Sequence, residues 1–443
     1  MQEYVIELSK YFIAFFMVLY TASCFYTFRY PVGEKHRGVF ILQDLLMFLV
    51  QVLCFLNLSL VSGDFQYLFF FAFILIFLFA TITMVSLIYE NINRLLLNNM
   101  CMLLGIGLCI VSRLSFDKAI RQYVIVLVSL IFSLLVPYLL GKIHFFKKIT
   151  WLYATLGIAL LSTVLILGEV THGSKISFSL GGITFQPSEF VKVAFILAGA
   201  ETMDRLFARR NLIFTILFSL FCVGCLALMS DFGTALIFFC AFLVIAYLRS
   251  GSMGTVALAV TALIFAGVLA LKIAPHALRR FSVWRHVWDD PLNAGYQQVQ
   301  ALMCVASGGL FGLGPGQGFL KHVFAADSDI AFATISEEWG LIVAVMMVLC
   351  VAAYGFFAIR TARVARSSFY SIGSCTAASI LVIQTILNCL GTLDILPFTG
   401  VTFPFLSNGG TSMIGAWGLL AFVKAADTRQ NASFAVRLNK KGA

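Results

Sequence analysis

Long apolar runs alternate with short polar ones from one end of the chain to the other. Thirteen such runs stand out, at 11–28, 39–61, 67–89, 98–112, 122–140, 149–169, 187–203, 212–230, 233–248, 254–274, 338–359, 370–391 and 409–425. Most approach the twenty residues a helix needs to cross a hydrocarbon core of roughly 30 Å. Inside such a core only helices or closed barrels satisfy every backbone N–H and C=O, and uninterrupted runs of this length are helical. The pattern therefore predicts an all-α, polytopic integral membrane protein of about thirteen transmembrane helices. Polar, Gly- and Pro-rich sequence gathers in three stretches, 171–192, about 275–337 and 391–412. If the spans alternate, all three fall on one face. Irregular backbone concentrated there is what a site built at a membrane surface requires.

Composition agrees and narrows the class. Of 443 residues 61% are hydrophobic and 11% charged, against about 25% charged in soluble domains. No stretch is long and polar enough for a separate soluble domain. A net charge of +10 would fit nucleic acid, but its placement does not, and no nucleic-acid partner is expected. The loops at 29–38, 90–97, 141–148, 204–211, 249–253 and 360–369, with the tail from 424, hold 19 of the 30 Lys and Arg. By the positive-inside rule that face is cytoplasmic, which puts the C-terminus inside and the N-terminus outside. The segment 113–121 runs against the rule, with Arg113, Lys118 and Arg121 on the outer side. The first apolar run has no small-residue cleavage site after it and is expected to remain as a span. All eleven Cys lie in apolar segments. The CxxC of Cys222 and Cys225 sits in mid-span without further ligands and reads as packing.

Four segments could carry chemistry. In "FQPSEFVKVAF" (185–195), Pro187 suits the first turn of a helix preceded by Gln186 and followed by Ser188. Glu189 and Lys192, three apart on one helical face, can pair. A structural ion pair is the bland reading, and a pair facing a cavity the favoured one, because neither charge can face lipid. "SGGLFGLGPGQG" (307–318) carries six glycines, but no strand precedes it and no Gly-Lys-Ser/Thr follows. It reads as a tight turn at a re-entrant segment rather than a phosphate loop.

"ADSDIAFATISEEWG" (326–340) holds four carboxylates. Asp327 reads as solvated loop. Asp329 stands at the lip of an apolar helix, a partly desolvated position that suits a general base. Glu337 and Glu338 open the next span, Glu338 lying deeper, lining the cavity and needing a partner. "LPFTGVTFPFLSNGGTS" (396–412) reads as a broken connection lining the same cavity, with Ser407, Gly409 and Gly410 as candidates. Asp44, the one clear intramembrane acid of the first three spans, also needs a partner; function and helix docking explain it equally well. No metal motif, Ser-His-Asp set or nucleotide fingerprint is present.

Taken together, "QPSEFVK" (186–192), "SDFGTAL" (230–236), "DPLNAGYQQVQALMCVASGGLFGLG" (290–314), "SDIAFATISEEWG" (328–340) and "LPFTGVTFPFLSNGGTS" (396–412), with Gln384 and Asn388 before the last, resemble the SEDS family (shape, elongation, division and sporulation). These are FtsW/RodA/SpoVE-type peptidoglycan polymerases. The resemblance covers 98–425 and implies ten spans with an extracellular loop at about 275–337. Residues 1–97 are then three additional spans, and 426–443 a cytoplasmic tail.

It also implies transfer of a MurNAc, held on undecaprenyl diphosphate, to the 4-hydroxyl of a GlcNAc. That makes the protein a lipid II-dependent, inverting glycosyltransferase at the outer face of the inner (cytoplasmic) membrane. The family's essential Asp falls on Asp329 and its Glu–Lys pair on Glu189 and Lys192. Gln186, Ser188, Gln297, Glu338, Asn388, Ser407, Gly409 and Gly410 are the accompanying cavity candidates. Arg279, Arg280 and Lys192 are candidates for meeting diphosphate charge. No resident cofactor or metal site is expected, though a divalent cation, Mg or Mn, could assist. The expected partners are lipid II, undecaprenyl-diphosphate-linked glycan and a class B penicillin-binding protein. The chain departs from the family pattern at "HGSKISFSLGG", "VFAAD" and Asn408. Two alternatives are a lipid-linked precursor flippase or transporter and a non-catalytic scaffold of a cell-wall complex.

Overall fold

The computed structural model describes residues 2–30, 37–89, 93–140, 150–171, 174–180, 183–204, 209–273, 281–364 and 367–430. Each of the thirteen apolar runs is a helix. They are α1 (Gln2–Tyr26), α2 (Arg37–Ser62), α3 (Gln66–Ile88), α4 (Arg94–Leu114), α5 (Phe116–Leu140), α6 (Thr150–Leu167) and α7 (Ser188–Asp204). There follow α8 (Arg209–Leu228), α9 (Phe232–Ser250) and α10 (Met253–Ile273), then a short helix, α11 (Tyr296–Gly308). The last three are α12 (Ala331–Val364), α13 (Ser368–Thr392) and α14 (Gly410–Gln430). Eight are long and apolar enough by themselves to cross a membrane, and α6, α8 and α10 contribute shorter apolar stretches. Between α6 and α7 lies a small antiparallel sheet in the order β1 (Glu169–Thr171), β2 (Ser174–Leu180), β3 (Ile183–Phe185). The alternation in "SKISFSL" has the period of two that a strand needs.

The helix α4 is the axis of the bundle. Every residue from Leu95 to Ser112 is buried, and α2, α3, α5 and α12 pack around it. Three apolar helices do not hold together by hydrophobicity alone in lipid, where tails are as apolar as leucine, so polar side chains supply much of the specificity. Tyr20 Oη donates to Asn99 Oδ1 at 2.9 Å, and Asn99 Nδ2 donates onward to the Cys350 carbonyl at 3.0 Å. That joins α1, α4 and α12 in one chain of bonds. Gln51 Nε2 donates to the Cys101 carbonyl at 3.1 Å, and Asn98 Nδ2 to Gln43 Oε1 at 3.2 Å. Asp44 finds its partner in Arg94, 2.8 Å away. The intramembrane acid therefore docks α2 onto α4.

The expected start of the last long span, near 338, is replaced by a helix that begins at Ala331 and breaks at Gly340, where φ is +88°. The apolar run "IAFATI" ahead of the two glutamates extends the helix outward. At the break the Gly-rich segment is stitched into the helix. Leu313 N and Gly314 N donate to the carbonyls of Glu337 and Glu338 at 2.9 and 3.0 Å, while Leu341 N and Ile342 N donate to Gly309 and Leu310 carbonyls. Groups that a broken helix would orphan are thereby satisfied inside the bundle, which a membrane protein requires.

Both glutamates serve the same junction. Glu337 accepts from Phe319 N and Leu320 N at 2.7 and 3.0 Å. Glu338 accepts from Gly316 N at 2.8 Å and lies 3.5 Å from Arg113 Nε. The Arg113 cation is thus held in place by a buried carboxylate.

The junction leaves no room at position 340, where a Cβ would lie 2.3 Å from the Leu310 carbonyl oxygen. Gly340→Ala should lower stability by about 3 kcal/mol or more, from strain plus overpacking. Gly224→Ala on α8, with nothing within 4 Å, should be neutral to stabilising by about 1 kcal/mol. Thermal unfolding of both variants in detergent checks the contrast; equal midpoints would contradict the packed junction.

Candidate active site

The stretches "FQPSE", "SDFGT", "AADSD" and "FTGVT" meet at one end of the bundle around a cavity of about 480 Å3. Its walls come from the start of α7 and the segment leading into it (Gln186, Glu189, Lys192) and from the start of α9 and the link before it (Ser230, Asp231, Thr234). The segment between α10 and α12 adds Gln297, Gln298, Phe324, Ser328 and Asp329, while Gln384 and the loop 398–402 close the rest. Local sequence explains the first of these walls. Phe185 stacks on Phe190 across Pro187, with ring centroids 5.2 Å apart, which fixes how the chain enters α7. Glu189 and Lys192 are both buried and pair at 2.8 Å, so the wall carries two charges that balance each other. Asp231 caps α9, its Oδ1 accepting from Thr234 N at 3.1 Å.

Asp329 is half-buried at the cavity edge, and its backbone is braced from three sides. Ala325 adopts φ +56°, and its carbonyl accepts the amides of Ser328 and Asp329, each at 3.1 Å. A non-glycine residue in this region costs of order 1–3 kcal/mol and persists only where surroundings over-determine it. Asn388 Nδ2 donates to the carbonyls of Asp329 and Val401 at 2.9 and 2.8 Å. Ser407 Oγ donates to the Ser328 carbonyl at 2.6 Å. Gly400, at φ +67°, lies against the carboxylate, and a Cβ there would come 3.3 Å from Asp329 Oδ2. Asp329 thus lines the cavity from a fixed main chain.

The candidates sort into two groups. Asp329, Glu189, Lys192, Gln186 and Gln297 line the cavity. Asn388 and Ser407 act behind it, holding the chain that carries Asp329. Ser188 is buried at the start of α7 without lining the cavity. Gly409 and Gly410 form the entry to α14, where Gly409 N donates to Gln122 Oε1 at 3.4 Å. Glu338, expected in the cavity, instead turns to Arg113 and the Gly-rich loop, because those donors satisfy it more closely than solvent in the cavity could. Arg279 and Arg280 lie outside the described residues.

Asp327 is also different from expectation. It is 8% exposed, accepting from Lys118 Nζ and Asn408 Nδ2, each at 2.8 Å, while its carbonyl accepts Asn408 N at 2.7 Å. Its partners lie 209 and 81 residues away in sequence, which is why it reads as a solvated loop there.

Ser230, Asp231, Gln298, Gln384 and Thr399 also line the cavity and were not among the candidates. The signal for Asp231 was its position, a lone acid between two apolar runs. Nearby, Asp290 lies in a turn where Asn293 Nδ2 (2.9 Å) and Ala294 N (3.2 Å) donate to its carboxylate. These bonds hold its carboxyl below the usual range. Among the described residues, no group of three or more His, Cys, Asp or Glu converges as a metal site.

The family model for FtsW, RodA and SpoVE, described as a cell cycle protein, matches residues 94–432. The chain belongs to this family. It is 30% identical over 268 residues to the peptidoglycan glycosyltransferase RodA of Mycobacterium tuberculosis, covering 57% of each chain. It therefore spans little more than half the length of that relative. Stage V sporulation protein E of Bacillus subtilis is 29% identical over 284 residues, covering 60% of this chain and 75% of that protein. In fold, the FtsW/RodA/SpoVE core matches a chain from a peptidoglycan synthase complex described as coordinating polymerization and crosslinking. The TM-score is 0.65 at 22% identity, over 77% of this chain and 99% of that one. The family model's match begins at α4, and α1–α3 precede it.

The brace around Asp327 yields a graded expectation. Asp327→Ala removes two charge-assisted bonds to a buried acceptor and should cost about 2 kcal/mol. Lys118 is 54% exposed at its side chain, so Lys118→Met should cost under about 1 kcal/mol. Denaturant or thermal titration of the two variants measures the order, and a larger loss for Lys118→Met would contradict it.

Proposed function

We propose that this protein is a lipid II-dependent peptidoglycan glycosyltransferase whose cavity faces the outer side of the cytoplasmic membrane. The observation that carries this reading is Asp329, held on a braced main chain at the edge of a polar cavity in a member of this family. In the reaction, the 4-hydroxyl oxygen of a GlcNAc bonds to the anomeric carbon of a MurNAc, and Asp329 takes the hydroxyl proton. The bond from that carbon to the diphosphate oxygen breaks, and undecaprenyl diphosphate leaves with the electron pair. Attack from the face opposite an α-linked leaving group gives a β-1,4 product, so one base suffices and no enzyme nucleophile is needed.

Lys192 and Glu189 shape the polar wall. Asp231 and Asp329, with substrate diphosphate oxygens, are the kind of donor set that magnesium or manganese takes. Such an ion would supply charge neutralisation at the leaving group. A class B penicillin-binding protein fits as partner, since the structural neighbour named above comes from a complex of polymerization with crosslinking.

A transporter would place its substrate site near the bilayer midplane. Here most of the wall comes from the starts of α7 and α9, from α11 and from the loops at 324–329 and 398–402, which supports chemistry at a surface. The outward orientation accounts for the cations that break the positive-inside pattern, because Arg113 and Lys118 are paired with Glu338 and Asp327.

Purified protein with lipid II and its transpeptidase partner should polymerise glycan, and Asp329→Asn should slow this by roughly 100-fold or more while leaving the thermal midpoint unchanged. Equal polymer from both proteins would exclude Asp329 as the base. Lipid II crossing vesicles without polymerisation would favour transport instead.

A further inference from the structure

Helices α1 and α2 precede the residues that the family model matches, yet they pack directly on the break in α12. The segment that stitches the break has positive φ at Gly309, Gly312, Gly314 and Gly316, and the break itself has it at Gly340. These glycines give the joint its shape but no side chains with which to hold it, and glycine has the widest backbone freedom of any residue.

The side chains come from the N-terminal helices. Tyr11 of α1 meets Phe311 with ring centroids 4.9 Å apart. A Cβ at Gly314 would lie 3.4 Å from Ile6 Cγ2, and one at Gly316 would lie 3.0 Å from Val61 Cγ1, so α1 and α2 both press on the glycine backbone. Trp339, the last residue before the break, is buried and donates from Nε1 to Cys54 Sγ of α2 at 3.1 Å. Beyond the break α1 follows α12 to its far end. There Arg360 donates to the carbonyls of Phe28 and, at 2.7 Å, Tyr30. The long part of α12 is thereby anchored, and the short helix 331–339 is the part that can turn on the joint.

That short helix is a lever with Asp329 just past its tip. A helix of nine residues is roughly 14 Å long, so a tilt of about 4° at its base carries the tip about 1 Å. Asn388 and Ser407 grip the tip, but a lever is fixed only when its base is fixed too. A reacting group displaced by about 1 Å can cost about 100-fold in rate.

We infer that Tyr11, Cys54 and Trp339 are positioning residues for Asp329: through them α1 and α2 set the angle at the α12 break, and with it the place of the base. The inference rests on the reading of Asp329 given under Proposed function. None of the three residues lines the cavity, so they act on turnover through geometry and leave substrate binding alone.

The test uses the full chain with its transpeptidase partner and has two readouts, lipid II turnover and hydrogen exchange of the amides at 325–339. Cys54→Ala and Trp339→Phe, which each remove one end of the bond, should lower kcat about tenfold with KM within about twofold, the pattern of a contact that matters only in the transition state. Both should speed exchange at 325–339 about tenfold relative to α13. Cys54→Ser, which restores an acceptor, should recover both readouts. Tyr11 is 45% exposed, so Tyr11→Ala keeps the fold and should shift both readouts in the same direction. Leu8→Ala, on an exposed position of α1, should change neither. Wild-type kcat in Cys54→Ala, Trp339→Phe and Tyr11→Ala, or unchanged exchange at 325–339, would overturn the inference, as would a rise in KM that accounts for the lost turnover. Wild-type turnover by Asp329→Asn would instead remove the reading of the base, and the exchange rates would still decide whether α1 and α2 hold the helix.

Discussion

The break in α12 at Gly340 is the constraint around which the site end of the molecule is arranged. A helix interrupted at membrane depth exposes backbone groups that lipid cannot satisfy. Here the Gly-rich segment supplies partners on both sides of the gap, and Glu337 and Glu338 clamp its far end at Phe319, Leu320 and Gly316. The first ten residues of α12 then stand as a separate helix, packed against α11. Asp329 precedes that helix by two residues, so its place follows from where the junction puts the helix start. The first two helices reinforce this region: Tyr11 of α1 meets Phe311 with ring centroids 4.9 Å apart, and Trp339 Nε1 donates to Cys54 Sγ of α2 at 3.1 Å.

Around Asp329 the main chain is fixed by side chains far away in sequence, while the residue itself lines the cavity. Asn388 reaches from α13, Ser407 and Asn408 from the entry to α14, and Lys118 from α5. Such bracing keeps a base from collapsing onto the nearby cations and carbonyls, and it requires no reorganisation when an acceptor arrives. It also gives polar residues at the site end a structural use. Asp327 sits two residues from Asp329 but is turned into the scaffold, away from the role its neighbour occupies.

Much of the fold was legible because apolar length is a strong local signal: the thirteen runs are the thirteen long helices. Spacing within seven residues was enough to bring Glu189, Lys192 and Gln186 to one place. What sequence reasoning missed is long-range. Glu338 reads as a cavity residue until Arg113, 225 positions earlier, comes beside it. The sheet at 169–185 was hidden because its strands are short and separated by Gly and polar residues. Asp231 was quoted as part of a motif, but its place on the cavity wall depends on how α9 packs against α13 and α7, which no local pattern reports.

The central claim is that Asp329 is positioned to accept a proton from an acceptor sugar. An experimental structure of the protein bound to a lipid-linked disaccharide diphosphate would address it directly. The account predicts an acceptor hydroxyl within roughly 2.6–3.2 Å of the Asp329 carboxylate, with the sugars in the cavity lined by Glu189, Lys192 and Gln297. A sugar bound elsewhere, or an Asp329 carboxylate turned into the scaffold with substrate present, would contradict it.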